Sequence, residues 1–154
     1  MAFYLLDTGI LIHIVRASAL AVEIENKYSL SKPPNISLTS IISKAEILSF
    51  SVQRNWGDKN NEKLKDILRH IPIVDINYDK IIQKYAEIAA YSIGKHPTIK
   101  LPPGESASNL KDNDIWIAST ASVLNAKLLT LDKDFLSLDK VFVDVVYIPQ
   151  IPNK

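Results

Sequence analysis

With 154 residues, 18 of them basic and 17 acidic for a formal charge of +1, the chain fits a single domain over 1–154. It carries no overall basic field, so any nucleic-acid contact must come from a local patch. Cysteine is absent, which excludes disulfides, thiolate metal sites and a cysteine nucleophile, and suits a reducing cytoplasm.

The apolar stretch from Ala2 to Val15 is interrupted by Asp7 and His13 and has no basic lead, so it reads poorly as a signal peptide. No later run is long and apolar enough to span a bilayer, and a soluble, cytoplasmic protein without membrane contact is expected. Residues 2 to 7 are continuously apolar up to the acid and predict a buried strand. Asp7-Thr8-Gly9 then supplies turn and cap chemistry for a helix in which Ile10, Leu11, Ile14 and Val15 recur up to about Ser18.

A second helical stretch, Leu20 to Leu30, stops before Pro33-Pro34. Asn35 to Leu38 predicts a short strand, and Thr39 or Ser40 can cap a helix to about Asn55 with Ile41, Ala45, Leu48 and Val52 as its core stripe. After the Trp56-Gly57-Asp58 turn come a polar helix, 60–70, a brief strand, 73–76, and a helix from Tyr78 to Ile93. The segment 94–111 holds Gly94, Pro97, Pro102, Pro103 and Gly104 and predicts a long loop. A helix from Asp112 to Leu124, a strand from Lys127 to Leu131, a short turn from Asp132 to Leu136 and a strand from Val141 to Ile148 complete the chain. Strands alternating with helices predict an α/β fold in three layers, a central parallel sheet flanked by helices.

Four acids stand where strands end or helices run beside apolar positions: Asp7, Glu46, Asp114 and Asp132. Each also has a structural reading. Asp7 and Asp132 can serve as helix caps, and Glu46 can belong to a solvated helix face. Glu46 shares a flank with Ile42, Ser49 and Gln53, beside the core stripe. Asp114 has Ala118 and Ala121 below it, while Asp112 and Asn113 are available for capping, which frees Asp114 to point inward. Carboxylates at the carboxyl ends of parallel strands lie where open α/β sheets place their ligands. A pair about 4 Å apart repels by roughly 4 kcal/mol at an effective dielectric near 20, so such a pocket should raise at least one carboxyl pKa. An all-oxygen set suits Mg²⁺ or Mn²⁺, whereas His13, His70 and His96 have no zinc spacing.

The segments Leu5-Leu6-Asp7-Thr8, Ile42-Ser43-Lys44-Ala45-Glu46-Ile47, Asn113-Asp114-Ile115-Trp116-Ile117-Ala118-Ser119-Thr120-Ala121 and Leu129-Thr130-Leu131-Asp132-Lys133-Asp134-Phe135 resemble, in order and spacing, the PIN-domain nucleases, particularly the VapC toxins of toxin–antitoxin pairs. The resemblance implies that Asp7, Glu46, Asp114 and Asp132 hold one or two Mg²⁺ or Mn²⁺ ions and are the catalytic residues, with Thr8 and Thr130 in support. Asp112 and Asp134 are additional acids that could share a ligand role, and Gly9 stands where the family often has Asn or Ser.

It further implies hydrolysis of RNA, such as tRNA or rRNA, leaving a 5′-phosphate, together with a homodimer and a VapB-like antitoxin. Rim cations would then be drawn from Lys44, Arg54, Lys95, Lys100, Lys111 and Lys133, and Trp116 is expected in the core. The helices Leu20 to Leu30 and Ile41 to Val52 are open to partner contacts as well as to core roles.

Two phosphotransfer readings fit less well. A haloacid-dehalogenase pattern needs a second Asp where Gly9 stands, and a receiver pattern would have to use Asp75 and a Lys127 that begins its strand instead of ending it. The remaining alternative is a PIN-like RNA- or protein-binding module without turnover.

Overall fold

The computed structural model describes residues 1–150, so 151–154 of the expected 1–154 unit lie outside the described residues. The chain opens with strand β1 (Phe3–Leu6), helices α1 (Thr8–Arg16) and α2 (Ala19–Tyr28), strand β2 (Ile36–Ser40), helices α3 (Ile41–Gln53) and α4 (Asp58–His70) and strand β3 (Ile73–Val74). It continues with α5 (Asp79–Ser92), α6 (Asp112–Leu124), β4 (Lys127–Thr130), a 3-10 turn (Lys133–Leu138) and β5 (Asp144–Tyr147). All neighbouring strands run parallel, in the order β3-β2-β1-β4-β5. Among the described residues no helix is long and apolar enough to cross a membrane.

The alternation of side chains along the strands divides the core in two. Leu5 and Leu128 face α5 and α6 and join Ile88, Tyr91, Ile117, Ala118 and Phe135. Tyr4, Leu6 and Leu129 point the other way, to Ile10, Leu11, Ile24, Ile47 and Leu64 from α1 to α4. With both faces covered, β1 and β4 are apolar over Tyr4–Leu6 and Leu128–Leu129, as a central parallel sheet requires, and the buried Thr130 at the end of β4 is the polar exception.

The expected α/β layering is thus what forms, and most boundaries agree within a few residues. The core stripe of α3 does not. Ile41, Ala45, Leu48 and Val52 all face outward, Val52 being 79% exposed, while Ser43, Ile47 and Ser51 are buried. Small hydroxyl residues at i and i+8 let the helix approach its neighbours closely, and the Ser51 hydroxyl returns to the Leu48 carbonyl at 2.7 Å. Trp116 is half-buried rather than core, with Tyr85 stacked on it at 4.1 Å between ring centroids.

The 94–111 segment contains no helix or strand, yet it is anchored. His96 Nδ1 accepts the backbone N–H groups of Thr98 and Ile99 at 3.2 and 3.0 Å, and Ile99, Leu101 and Leu110 pack on the core.

Candidate active site

The crossover from β1 leads to β2 on one side, and the short crossover from β4 leads to β5 on the other. The β1–β4 boundary is therefore the place where the strand order reverses and where a crevice opens beyond the carboxyl ends. Leu6 pairs with Leu129, which brings Asp7 and Thr130 out side by side. Asp7 caps α1 through Oδ1, which accepts the Thr8 N–H at 2.8 Å. Its Oδ2 accepts the Thr130 hydroxyl at 2.6 Å, and that hydroxyl accepts the Asp132 N–H at 3.0 Å. The Thr8 hydroxyl donates to Glu46 Oε1 at 2.8 Å, tying the start of α1 to the second turn of α3.

Asp114 lies in the first turn of α6, where its Oδ2 accepts the Lys111 N–H at 3.2 Å. It therefore caps its own helix, contrary to the expectation that Asp112 and Asn113 would take over that task. Asp112 is instead exposed and accepts the Tyr85 hydroxyl at 3.1 Å. One Asp114 oxygen is enough for the cap, and the residue still borders the crevice. Asp132 caps the 3-10 turn by accepting the Asp134 N–H at 2.9 Å.

A pocket of about 600 Å³ is lined by Asp7, Thr8, Glu46, Asp114 and Asp132, with Gly9, Leu131, Lys133, Tyr147 and Gln150 completing its wall. Four carboxylic acids and one lysine border a single concavity. Burial pushes the Asp7 carboxyl up to about 6, the Thr130 and Thr8 hydrogen bonds oppose the rise, and the Glu46 and Asp114 charges add to it. Asp114 is raised as well, chiefly by burial, against the pull of the Lys111 N–H and with the charges of Asp132, Glu46 and Asp134. Like charges oppose tight convergence: among the described residues no three acidic or histidine side chains are pre-assembled as a ligand cage. The donor set is nonetheless all oxygen and electrostatically frustrated, which is the chemistry that a hard divalent cation relieves. No histidine lines this pocket.

The PIN domain family profile matches residues 4–141. The chain belongs to the PIN-domain family. No curated protein matches it, but several solved structures share the fold of this PIN domain. A VapBC-1 structure from nontypeable Haemophilus influenzae aligns with a TM-score of 0.68 at 21% identity, covering 94% of this chain and 97% of that one. VapBC2 from Rickettsia felis, bound to a DNA fragment from their promoter, gives 0.66 at 22%, covering 94% and 98%. FitAcB from Neisseria gonorrhoeae gives 0.66 at 22%, covering 95% and 97%.

Within the PIN domain, Asp7, Glu46, Asp114 and Asp132 are brought to one pocket together with Thr8, while Thr130 lies behind Asp7 as its hydrogen-bond donor. Asp112 and Asp134 do not line it; Asp134 acts on Asp114 only through its charge. Of the expected rim cations, Lys133 is at the wall, whereas Lys44, Arg54, Lys95, Lys100 and Lys111 do not line this pocket. Sequence reasoning missed Tyr147. The signal was its place in the apolar run Val145 to Ile148, which the fold sets in register with Thr130.

Proposed function

We propose that this PIN domain is a divalent-metal-dependent endoribonuclease, with Asp7, Glu46, Asp114 and Asp132 as its catalytic, metal-holding residues, and that it acts as the cytoplasmic toxin of a VapBC-type pair. The observation that carries the reading is the gathering of these four acids around one crevice at the topological switch of a parallel sheet. Mg²⁺ or Mn²⁺, when bound there, would supply an activated water near neutral pH and offset charge on the phosphate. The chain's own residues prepare that chemistry. Thr130 and the Thr8 N–H fix both oxygens of Asp7, and Thr8 fixes one oxygen of Glu46, so the ligands are oriented before substrate arrives. Lys133 at the wall offers a cation to a phosphate that would otherwise meet only negative charge.

Toxin membership is supported by structural neighbours that are themselves VapBC and FitAB complexes. A cognate VapB-like antitoxin and a homodimer belong to the same reading. An apolar groove of about 740 Å³ between α2, β2 and α4, lined in part by Val22, Leu30, Ile36 and Ile71, suits an antitoxin segment. The outward Ile41, Leu48 and Val52 of α3 suit a second copy.

The test is cleavage of total cellular RNA and of purified tRNA and rRNA by the wild-type chain with Mn²⁺, then with excess chelator. Cleavage should need the ion and disappear in Asp7→Asn and Asp114→Asn. A chain that binds RNA without ever cutting it would replace this reading by a non-catalytic PIN-like module.

A further inference from the structure

Glu46 borders a second cavity besides the acidic pocket. This groove, about 430 Å³, runs along α3 between Ile42, Ala45, Ser49, Phe50 and Gln53, with Asn113 of α6 on its opposite side. The flank of α3 that forms it lies between the buried Ser43–Ile47–Ser51 flank and the outward Ile41–Leu48–Val52 flank, with the exposed Ala45 at its outer edge. Phe50 joins this groove to a cluster of cations and a second aromatic ring that stand beside it without lining it. The Arg16 guanidinium stands 5.4 Å from the Phe50 ring centre and 5.8 Å from that of Trp56, and Arg54 stands 5.3 Å from Phe50. The two rings meet edge to face at 5.7 Å.

Both arginines are exposed, and neither pairs with a carboxylate among the described residues. Cation–π contact restrains the guanidiniums while leaving their N–H donors without a side-chain carboxylate partner among the described residues. That combination suits phosphate oxygens, which take a guanidinium fork without needing a further acid. Phe50 and Trp56 are half-buried and add the flat apolar surface on which bases stack.

The geometry points to a substrate subsite: the groove from Glu46 to the Arg16–Phe50–Arg54–Trp56 cluster is the path of a single RNA strand leaving the acidic pocket, with the two arginines on its phosphates. This rests on the ribonuclease reading and assigns the strand its direction across the surface. Eight residues of helix separate Glu46 from Arg54, a rise of roughly 12 Å. A stacked strand advances about 3.4 Å per nucleotide, so the cluster meets phosphates roughly three to four nucleotides from the reacting bond. An acidic reaction pocket with Lys133 alone at its wall attracts a polyanion weakly, and this cluster adds two cations, linked to the pocket through Phe50 and Glu46 of the shared groove.

The test is fluorescence anisotropy of a labelled single-stranded RNA of about 12 nucleotides, titrated with the full chain in EDTA over a range of NaCl concentrations, so that no cleavage is required. Arg16→Gln combined with Arg54→Gln should weaken binding roughly five- to tenfold and make the log–log salt slope shallower by about 1.4, two phosphates at about 0.7 each. Arg16→Lys combined with Arg54→Lys should keep the slope and lose only part of the affinity, because charge is retained without planar stacking. Phe50→Leu should weaken binding with the slope unchanged, and remains informative if the double glutamine variant fails to fold.

Unchanged affinity and slope in the arginine variants, or no RNA binding by the wild-type chain, would overturn the subsite. Variants that leave RNA binding untouched but alter the sedimentation of the protein alone would assign this face to a protein contact and overturn it equally. Wild-type binding that depends on both arginines, without cleavage under any divalent ion, would uphold the subsite while removing the ribonuclease reading.

Discussion

Asp7→Asn is expected to make the protein more stable near neutral pH. The Asp7 carboxyl, 8% exposed, has its pKa raised from 3.8 to about 6 in the folded chain. Between those values the native state holds a proton that the unfolded chain has released, so stability falls as pH rises through the interval and the full penalty is present above it. The gap corresponds to about 3 kcal/mol at 1.36 kcal/mol per decade.

Asparagine removes the charge and keeps an acceptor for the Thr8 N–H. It loses the charge-assisted bond from Thr130, whose hydroxyl must turn to accept from the new amide, a loss of about 1 to 2 kcal/mol. The net expectation is a gain of about 1 to 2 kcal/mol at pH 7.5, shrinking as pH is lowered from about 6 towards 3.8, below which the wild-type carboxyl becomes neutral in both states. Urea unfolding of both proteins in EDTA at several pH values measures it. A variant less stable than the wild type at pH 7.5, or a difference that does not change with pH, would refute the claim that Asp7 is a buried and poorly compensated charge.

Mn²⁺ at about one hundred times its Kd should stabilise the wild-type chain by about 2.7 kcal/mol, read as a rise in melting temperature, and Asp7→Asn or Asp114→Asn should flatten that response. Thr130→Val should cost about 2 to 3 kcal/mol, since it strips a partner from both Asp7 Oδ2 and the Asp132 N–H. Because the Thr130 bond lowers the Asp7 pKa, the same substitution should move the Asp7 titration upward, as followed by side-chain carboxyl NMR. On α3, Ile47→Ala should cost about 2 to 5 kcal/mol because Ile47 is fully buried. Val52→Ala should stay within about 0.5 kcal/mol, and equal costs in denaturant unfolding would mean that the helix is turned differently.

Where local pattern and tertiary demand agreed, the sequence was readable. Helix α6 was legible to the residue because loop chemistry before Asp112 and the Asn125 turn bound it on both sides. Asp7 and Asp132 were legible because each closes an apolar run whose strand is buried on both faces. The flank of α3 carrying Glu46 was also visible: Ile42, Ser49 and Gln53 do share its groove.

The buried flank of α3 was not visible, since hydrophobicity pointed to Leu48 and Val52 while the packing selected Ser43 and Ser51. Volume decides how near a helix can come: the Ser51 hydroxyl is bonded back to the Leu48 carbonyl, while the Ser43 hydroxyl is buried with no hydrogen-bond partner among the described residues. The cationic cluster was equally hidden. Arg16 and Arg54 lie far apart in the chain, and only the docking of α1 against α3 brings them over one ring.

The threonine hydroxyls give the crevice a collective character. A backbone amide at Asp132 leans on Thr130, Thr130 leans on Asp7, and from the other side Thr8 leans on Glu46. Replacing one member leaves its neighbour with a misdirected proton or lone pair, so the effects of paired substitutions here should depart from the sum of the single ones. Such a wall responds to substitution as a set, and an acid whose threonine is removed loses the donor that orients one of its oxygens.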